Sequence, residues 1–167
     1  MALGGDGLAD RTLWGGTQSM QAHYLGHVVF YVKDLGQSLS FYRDLVGFQE
    51  IGTTFGGKAV ALTSGRTHHE ILLIEVGSAP APLSGVRRGL YHIGIKIGDN
   101  LEALRAAKEE LEQRNIPISG MSDHTVTQSL YLHDPDGNEV ELYVDAPGID
   151  WKQNPQAVLA PIKPLNI

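Results

Sequence analysis

The chain has 167 residues, with 13 Lys and Arg against 19 Asp and Glu, seven His, no Cys and 42% hydrophobic residues. That length suffices for one domain, or two small halves sharing a core, burying roughly 70% of the unfolded surface. A formal charge of −6 without a basic run argues against nucleic acid or an anionic membrane surface as the leading partner. Without Cys there is no disulfide framework, thiolate zinc site, iron–sulfur cluster or thiol nucleophile, so any metal must be held by nitrogen and oxygen. The longest apolar runs, Val28–Val32 and Ile71–Ile74, fall far short of the ~20 residues that span a bilayer. Met1–Met20 shows no basic segment followed by an apolar one, and a cytoplasmic address is the expectation.

In chain order, residues 1–22 carry glycines without apolar periodicity and read as a flexible leader. Residues 23–145 read as one domain of two modules. In the first, 23–76, Gly26–Lys33 is β-branched and aromatic, hence a strand. Leu35–Val46 places Leu35, Leu39, Tyr42 and Val46 at helical spacing before the Gly47 stop. Phe48–Gly52, Lys58–Thr63 and His69–Val76 read as three strands between glycine turns. A Pro- and Gly-rich linker spans 77–89. The second module, 90–145, repeats the order: strand Leu90–Ile97, helix Leu101–Asn115 capped by Asp99 or Asn100, strands Ile116–Gly120 and Thr127–Leu132, turn Asp134–Asn138, and strand Glu139–Asp145. Residues 146–167 form a tail. The class predicted is α+β, two β-α-β-β-β modules forming one open curved barrel.

The repeat places chemistry. His27 and His92 lie 65 residues apart, each seven before the Asp that follows its strand, and Glu70–Val76 falls over Glu139–Asp145 at a separation of 69. Strand alternation puts His27, Val29 and Tyr31 on one side, His92, Gly94 and Lys96 on one side, and Glu139, Glu141 and Tyr143 on one side. Two histidines plus one carboxylate form a set that binds one face of Fe(II) or Mn(II) and leaves positions open for substrate. Alternation does not choose between Glu139 and Glu141.

GHVVFYVKDLGQSLSFYRDLVGF (26–48), RTHHEILL (66–73), GLYHIGIKI (89–97) and DHTVTQSLYLHDPDGNEVELYVD (123–145) resemble the vicinal oxygen chelate superfamily, and within it the type I extradiol ring-cleaving dioxygenases of the catechol 2,3-dioxygenase kind. The resemblance implies a central metal, Fe(II) with Mn(II) as the alternative, held by His27, His92 and Glu141, the last because it lies ten residues after Tyr131. It implies three further groups around substrate and oxygen. His69 matches the distal acid–base histidine, His124 a substrate-contacting histidine, and Tyr131 a phenol that binds the catechol oxygen. His133 is expected to face away from the cavity.

The activity implied is Fe(II)-dependent extradiol cleavage of a catechol-type substrate with O2, in a one-domain form whose assembly is expected to be a homo-oligomer. Two other classes compete. One is a metal-dependent glyoxalase-like isomerase or thiol transferase, disfavoured because Leu72 occupies the place equivalent to Glu141 and cannot ligate, leaving only Glu70 or Glu75 by a register shift. The other is a non-catalytic small-molecule-binding protein of the resistance type.

Overall fold

The computed structural model describes residues 22–82, 85–86 and 88–167, so the leader expected at 1–22 lies, apart from Ala22, outside the described residues. The first half runs β1 (Val28–Val32), α1 (Leu35–Tyr42), β2 (Gln49–Thr54), β3 (Ala59–Thr63) and β4 (Ile71–Glu75). The second runs β5 (His92–Gly98), α2 (Leu101–Gln113), β6 (Gly120–Asp123), β7 (Thr127–His133) and β8 (Glu139–Asp145), followed by a 3-10 turn, Pro155–Leu159, and a short β9 (Lys163–Pro164). The α+β class and the two β-α-β-β-β modules are as the sequence predicts. The strands form two separate sheets, β1-β4-β3-β2 and β5-β8-β7-β6-β9, rather than a closed barrel.

In each half the first and last strands of the module pair in parallel, which requires a crossover, and the helix supplies it. The registers are equivalent. Val29 stands opposite Leu72 as Gly94 stands opposite Glu141, at the separations of 65 and 69 read from the sequence. Asp34 caps α1 by accepting from the Gln37 amide at 2.8 Å, and Asn100, rather than Asp99, caps α2 through the Ala103 amide.

Three departures from expectation are the largest. Helix α1 ends at Tyr42, four residues early, because the following turn uses wider hydrogen bonds, Asp44 N–H to Leu39 O and Val46 N–H to Phe41 O, before Gly47 at φ 94°. The strand expected at 116–120 forms instead at Gly120–Asp123. Pro117 has no N–H to give to a ladder, while Ile116 and Ile118 pack against the core. The tail contributes β9, which pairs with β6.

One hydrophobic cluster draws on both halves. From the first come Phe30, Val32, Ile71 and Leu73; from the second Leu130, Leu132, Val140, Leu142 and Val144, with Leu104 and Leu111 of α2 laid on them. The two halves are also tied by polar contacts. The Tyr42 hydroxyl, fully buried and stacked on Phe30, donates to Asp134 Oδ2 at 2.8 Å, and the Lys33 amide donates to Asp136 Oδ1 at 3.0 Å. Burial, and then the Asp134 carboxylate, push the Tyr42 phenol far above its usual range, so it stays a donor. Asp134 also accepts from the Asn138 side chain and from the amides of Asp136 and Asn138, which shapes the Asp134–Asn138 turn.

Removing the single oxygen in Tyr42→Phe leaves the turn formed but one buried carboxylate oxygen short of a donor. We expect a loss of about 1.5–3 kcal/mol in urea unfolding, as for a hydrogen bond to a charged group, with native secondary structure by circular dichroism.

Candidate functional site

Strand β8 alternates without a break. Val140, Leu142 and Val144 enter the core, so Glu139, Glu141 and Tyr143 emerge on the opposite face. On β5 the isoleucines 93, 95 and 97 pack against the core, which turns His92, Gly94 and Lys96 the same way as the glutamates. On β7, Leu130 and Leu132 are buried in the core, leaving Ser129 and Tyr131 beside Glu141. Across this sheet one row reads Gly94, Glu141, Tyr131, Gly120.

The polar groups of that row converge. His92 Nε2 lies 3.2 Å from Glu141 Oε2. The other carboxylate oxygen, Glu141 Oε1, accepts from the Ser129 hydroxyl at 2.6 Å and from the Tyr131 hydroxyl at 3.2 Å. His124 Nε2 is 2.6 Å from the Tyr131 hydroxyl and 3.8 Å from Glu141 Oε1. On the far side of the ring, His92 Nδ1 is 3.3 Å from Glu139 Oε1 but misaligned, and both atoms are buried without a hydrogen-bond partner among the described residues. Burial, reinforced by the charge of Glu141, pushes Tyr131 up to about 12, so its hydroxyl stays a donor at neutral pH. His92, His124, Tyr131 and Glu139 border a cavity of about 340 Å³ whose other walls include Tyr91, Ser122 and Ile162, while Glu141 lines a neighbouring open cavity.

His124 owes its place to a strained corner. Thr125 sits at φ 72°, with the Val126 amide donating to His124 O at 2.8 Å and its own amide donating to Asp123 Oδ1. A β-branched residue in that region costs energy and is held there by its surroundings.

His27 and His69 form a second group on the first sheet. Their ring centroids are 4.6 Å apart, and His68 Nδ1 is 2.6 Å from His69 Nδ1. Burial, then His68 and His27, hold His69 below the usual histidine range, which favours a neutral imidazole. The six expected site residues thus fall into two groups, His27 with His69 and His92 with His124, Tyr131 and Glu141. Among the described residues, no cluster of three or more His, Asp and Glu is arranged to hold a metal ion.

His133 lines neither cavity, as expected, although its parity differs from expectation. Strand β7 stays regular to its end, His133 standing opposite Glu139, so it shares the side of Tyr131 and lies exposed at the strand end. Ser129 and Gly94 belong to the site although sequence reasoning gave them no role. Their signal was parity alone, with Tyr131 and His92 respectively. At Gly94 a Cβ would lie 3.4 Å from the Tyr143 ring and 3.5 Å from Glu141 Oε2, ordinary contact distances, so this backbone passes directly beside the carboxylate with space for a methyl.

The family model for the glyoxalase/bleomycin resistance protein/dioxygenase superfamily matches residues 24–142. The chain belongs to this superfamily. Among curated relatives of this superfamily member, a catechol-2,3-dioxygenase of Bacillus subtilis (strain 168) is 34% identical over 131 residues, covering 78% of the chain and 45% of that protein. A biphenyl-2,3-diol 1,2-dioxygenase 2 of Rhodococcus globerulus is 33% identical over 87 residues, covering 50% of the chain and 44% of the relative. The chain therefore spans less than half the length of either. Among solved structures, a glyoxalase/dioxygenase from Nostoc punctiforme superposes with a TM-score of 0.64 at 19% identity, covering 78% of the chain and 99% of that structure. A lactoylglutathione lyase from Agrobacterium tumefaciens superposes with a TM-score of 0.56 at 25% identity, covering 75% and 96%.

Within this superfamily member Glu70 has a structural task. It is buried, and accepts from the Thr63 hydroxyl, the Ser64 amide and hydroxyl, and the Thr67 amide, closing the loop from β3 to β4. Burial alone would raise this carboxyl; the hydrogen bonds from Ser64, Thr63 and Thr67 outweigh it and hold Glu70 below the usual glutamate range. A carboxyl lowered by folding adds stability above its unfolded value of about 4.3, and that stability is lost as pH falls through the folded value. Glu70→Gln should therefore lower the urea midpoint at pH 7, and the gap from wild type should shrink as pH drops below about 4.

Proposed function

We propose that this protein is an Fe(II)-dependent extradiol dioxygenase, with Mn(II) as the alternative metal, that opens a catechol-type ring with O2. His27, His92 and Glu141 are the metal ligands, and His69, His124 and Tyr131 handle substrate and protons. The observation that supports this reading most is the convergence of the Tyr131 hydroxyl and His124 on Glu141 Oε1, beside the paired His92 Nε2 and Glu141 Oε2. Similarity to catechol and biphenyldiol dioxygenases adds to it.

By donor type the set suits a divalent ion of intermediate softness, with His92 and Glu141 adjacent and His27 in the separate group beside His69. It offers imidazole nitrogen and carboxylate oxygen, with buried and unpartnered His92 Nδ1 and Glu139 Oε1 immediately outside. An ion held by His27, His92 and Glu141 would supply Lewis-acid activation of a catechol and an electron path between the ring and dioxygen. The chain's own groups do the rest. Ser129 and Tyr131 fix Glu141 Oε1, leaving Oε2 turned to His92. Tyr131 holds a donor where a catechol oxygen would lie, and His124 at 2.6 Å takes or returns the proton that such binding displaces. His69, biased to its neutral form, serves as a base near neutral pH.

Glyoxalase-like chemistry with a fourth protein ligand is disfavoured because Leu72 holds the equivalent place and Glu70 is committed to its loop. Anaerobic loading with Fe(II), then catechol and air, separates the remaining readings. Oxygen uptake with a yellow product is expected. Stoichiometric metal with no uptake on several catechols would instead favour the isomerase or thiol transferase.

Two variants test the assignments. By equilibrium dialysis, Glu141→Ala should weaken metal binding by more than about 100-fold and Glu139→Ala by about 10-fold or less; the reverse order would move the ligand to Glu139. His69→Ala should retain the metal and lower kcat by about 100-fold, the usual scale for one acid–base group.

A further inference from the structure

The tail after β8 is pinned rather than loose. The Ala146 amide donates to Val126 O, and Asp150 then gathers three amides, Lys152 on its carboxylate and Gln153 and Asn154 on its carbonyl. The 3-10 turn Pro155–Leu159 follows and buries Ala157, after which β9 pairs with β6 and Leu165 enters the core cluster. Held at both ends, this stretch and the outward face of β8 bound an open cavity of about 710 Å³.

Floor and wall of this cavity differ in chemistry. Glu141, Tyr143 and Asp145 line it from the sheet, and Trp151, Val158 and Leu159 line it from the tail. Trp151 is 46%, Val158 50% and Leu159 76% exposed, so three large apolar side chains are left to water around one concavity. Its described lining contains no Lys, Arg or His. Lys96, which reaches Asp145 at 2.6 Å, is shared with Asp99, and the Lys152 ammonium lies 5.9 Å from the centre of the Trp151 ring. Glu141 is the member that joins this cavity to the polar group of His92, Tyr131 and His124. A ligand whose polar end lies at Glu141 therefore has hydrocarbon, and no free positive charge, beyond it.

We propose that this cavity is a substituent subsite: it takes an uncharged hydrocarbon group carried on the ring whose oxygens lie at Glu141, and Trp151, Val158 and Leu159 of the tail set that preference. The inference rests on the catechol reading for the polar end of the ligand and on the cavity for the apolar end. A carboxylate on the same group would stand beside Glu141 and Asp145 without a counter-charge, which selects against it. Each buried methylene is worth about fourfold in affinity, so a four-carbon chain half covered by an open cavity gains about 10-fold.

The chain has two Trp, so in a Trp14→Phe background Trp151 is the only tryptophan emitter. Full-length protein loaded anaerobically with Fe(II) is titrated by calorimetry with catechol, 3- and 4-butylcatechol, 3,4-dihydroxybenzoate and 4-butylphenol, and Trp151 emission is followed alongside. The tighter butylcatechol should bind about 10-fold more strongly than catechol and move Trp151 emission to the blue, while dihydroxybenzoate should bind no more strongly than catechol. Val158→Ser together with Leu159→Ser, at two exposed positions outside the core, should bring the butylcatechol-to-catechol ratio close to one. A ratio near one in the parent protein overturns the proposal, as does a gain that survives the double substitution or a preference for dihydroxybenzoate. If catechol does not bind, while 4-butylcatechol and 4-butylphenol bind alike and shift Trp151 emission only with Val158 and Leu159 in place, the apolar subsite stands and the catechol reading falls.

Discussion

Sharing one hydrophobic core between two similar sheets governs the arrangement of this molecule. Each sheet has one apolar face, and neither half is large enough to bury its face alone; the two satisfy each other through a single cluster. Strand alternation then leaves no freedom, since every residue next to a core residue on a strand must point the other way. Histidines, glutamates and the tyrosine of the site occupy those alternate positions. The polar faces are thus a by-product of how the apolar ones are hidden, and the buried Tyr42–Asp134 contact, with the Lys33 amide on Asp136, fixes one half against the other.

Around Glu141 the fold then invests in fixing one carboxylate. Ser129, fully buried, and Tyr131 hold one oxygen, and the other faces His92 Nε2. Groups positioned by strands rather than by loops keep their geometry, which is what a set of ligands or proton carriers requires. His124 is the exception, placed by a tight corner at Thr125 whose backbone strain is tolerated because the Asp123 carboxylate and the His124 carbonyl both engage it.

Much of this was legible in the sequence because it depends on period two. The alternation of Glu139–Asp145 and the matching offsets of the two halves identified the strands, their faces and the equivalence of His27 with His92, and the register bears that out. Helix α1 was read too long because a sequence shows apolar spacing but not the wide hydrogen bonds that end the helix at Tyr42. Strand β6 was misplaced because the apolar Ile116 and Ile118 serve the core from irregular chain, so apolar content alone did not mark the ladder. The way the two halves meet was not legible. Alternation says which residues share a face, while the choice between turning two faces inward or outward lies in packing, made by side chains such as Phe30 and Leu142 that look alike in either arrangement.

The paired rows Val29–Leu72 and Gly94–Glu141 hold equivalent places in the two halves. One row is plain hydrocarbon; the other pairs a missing side chain with a charged one. The same backbone stage occurs twice, and one copy carries a carboxylate where the other carries a smooth hydrocarbon surface. Binding capacity in this chain is therefore asymmetric by composition rather than by shape, and two substitutions at matched positions, Val29 to glycine and Leu72 to glutamate, separate the first half from the chemical character of the second.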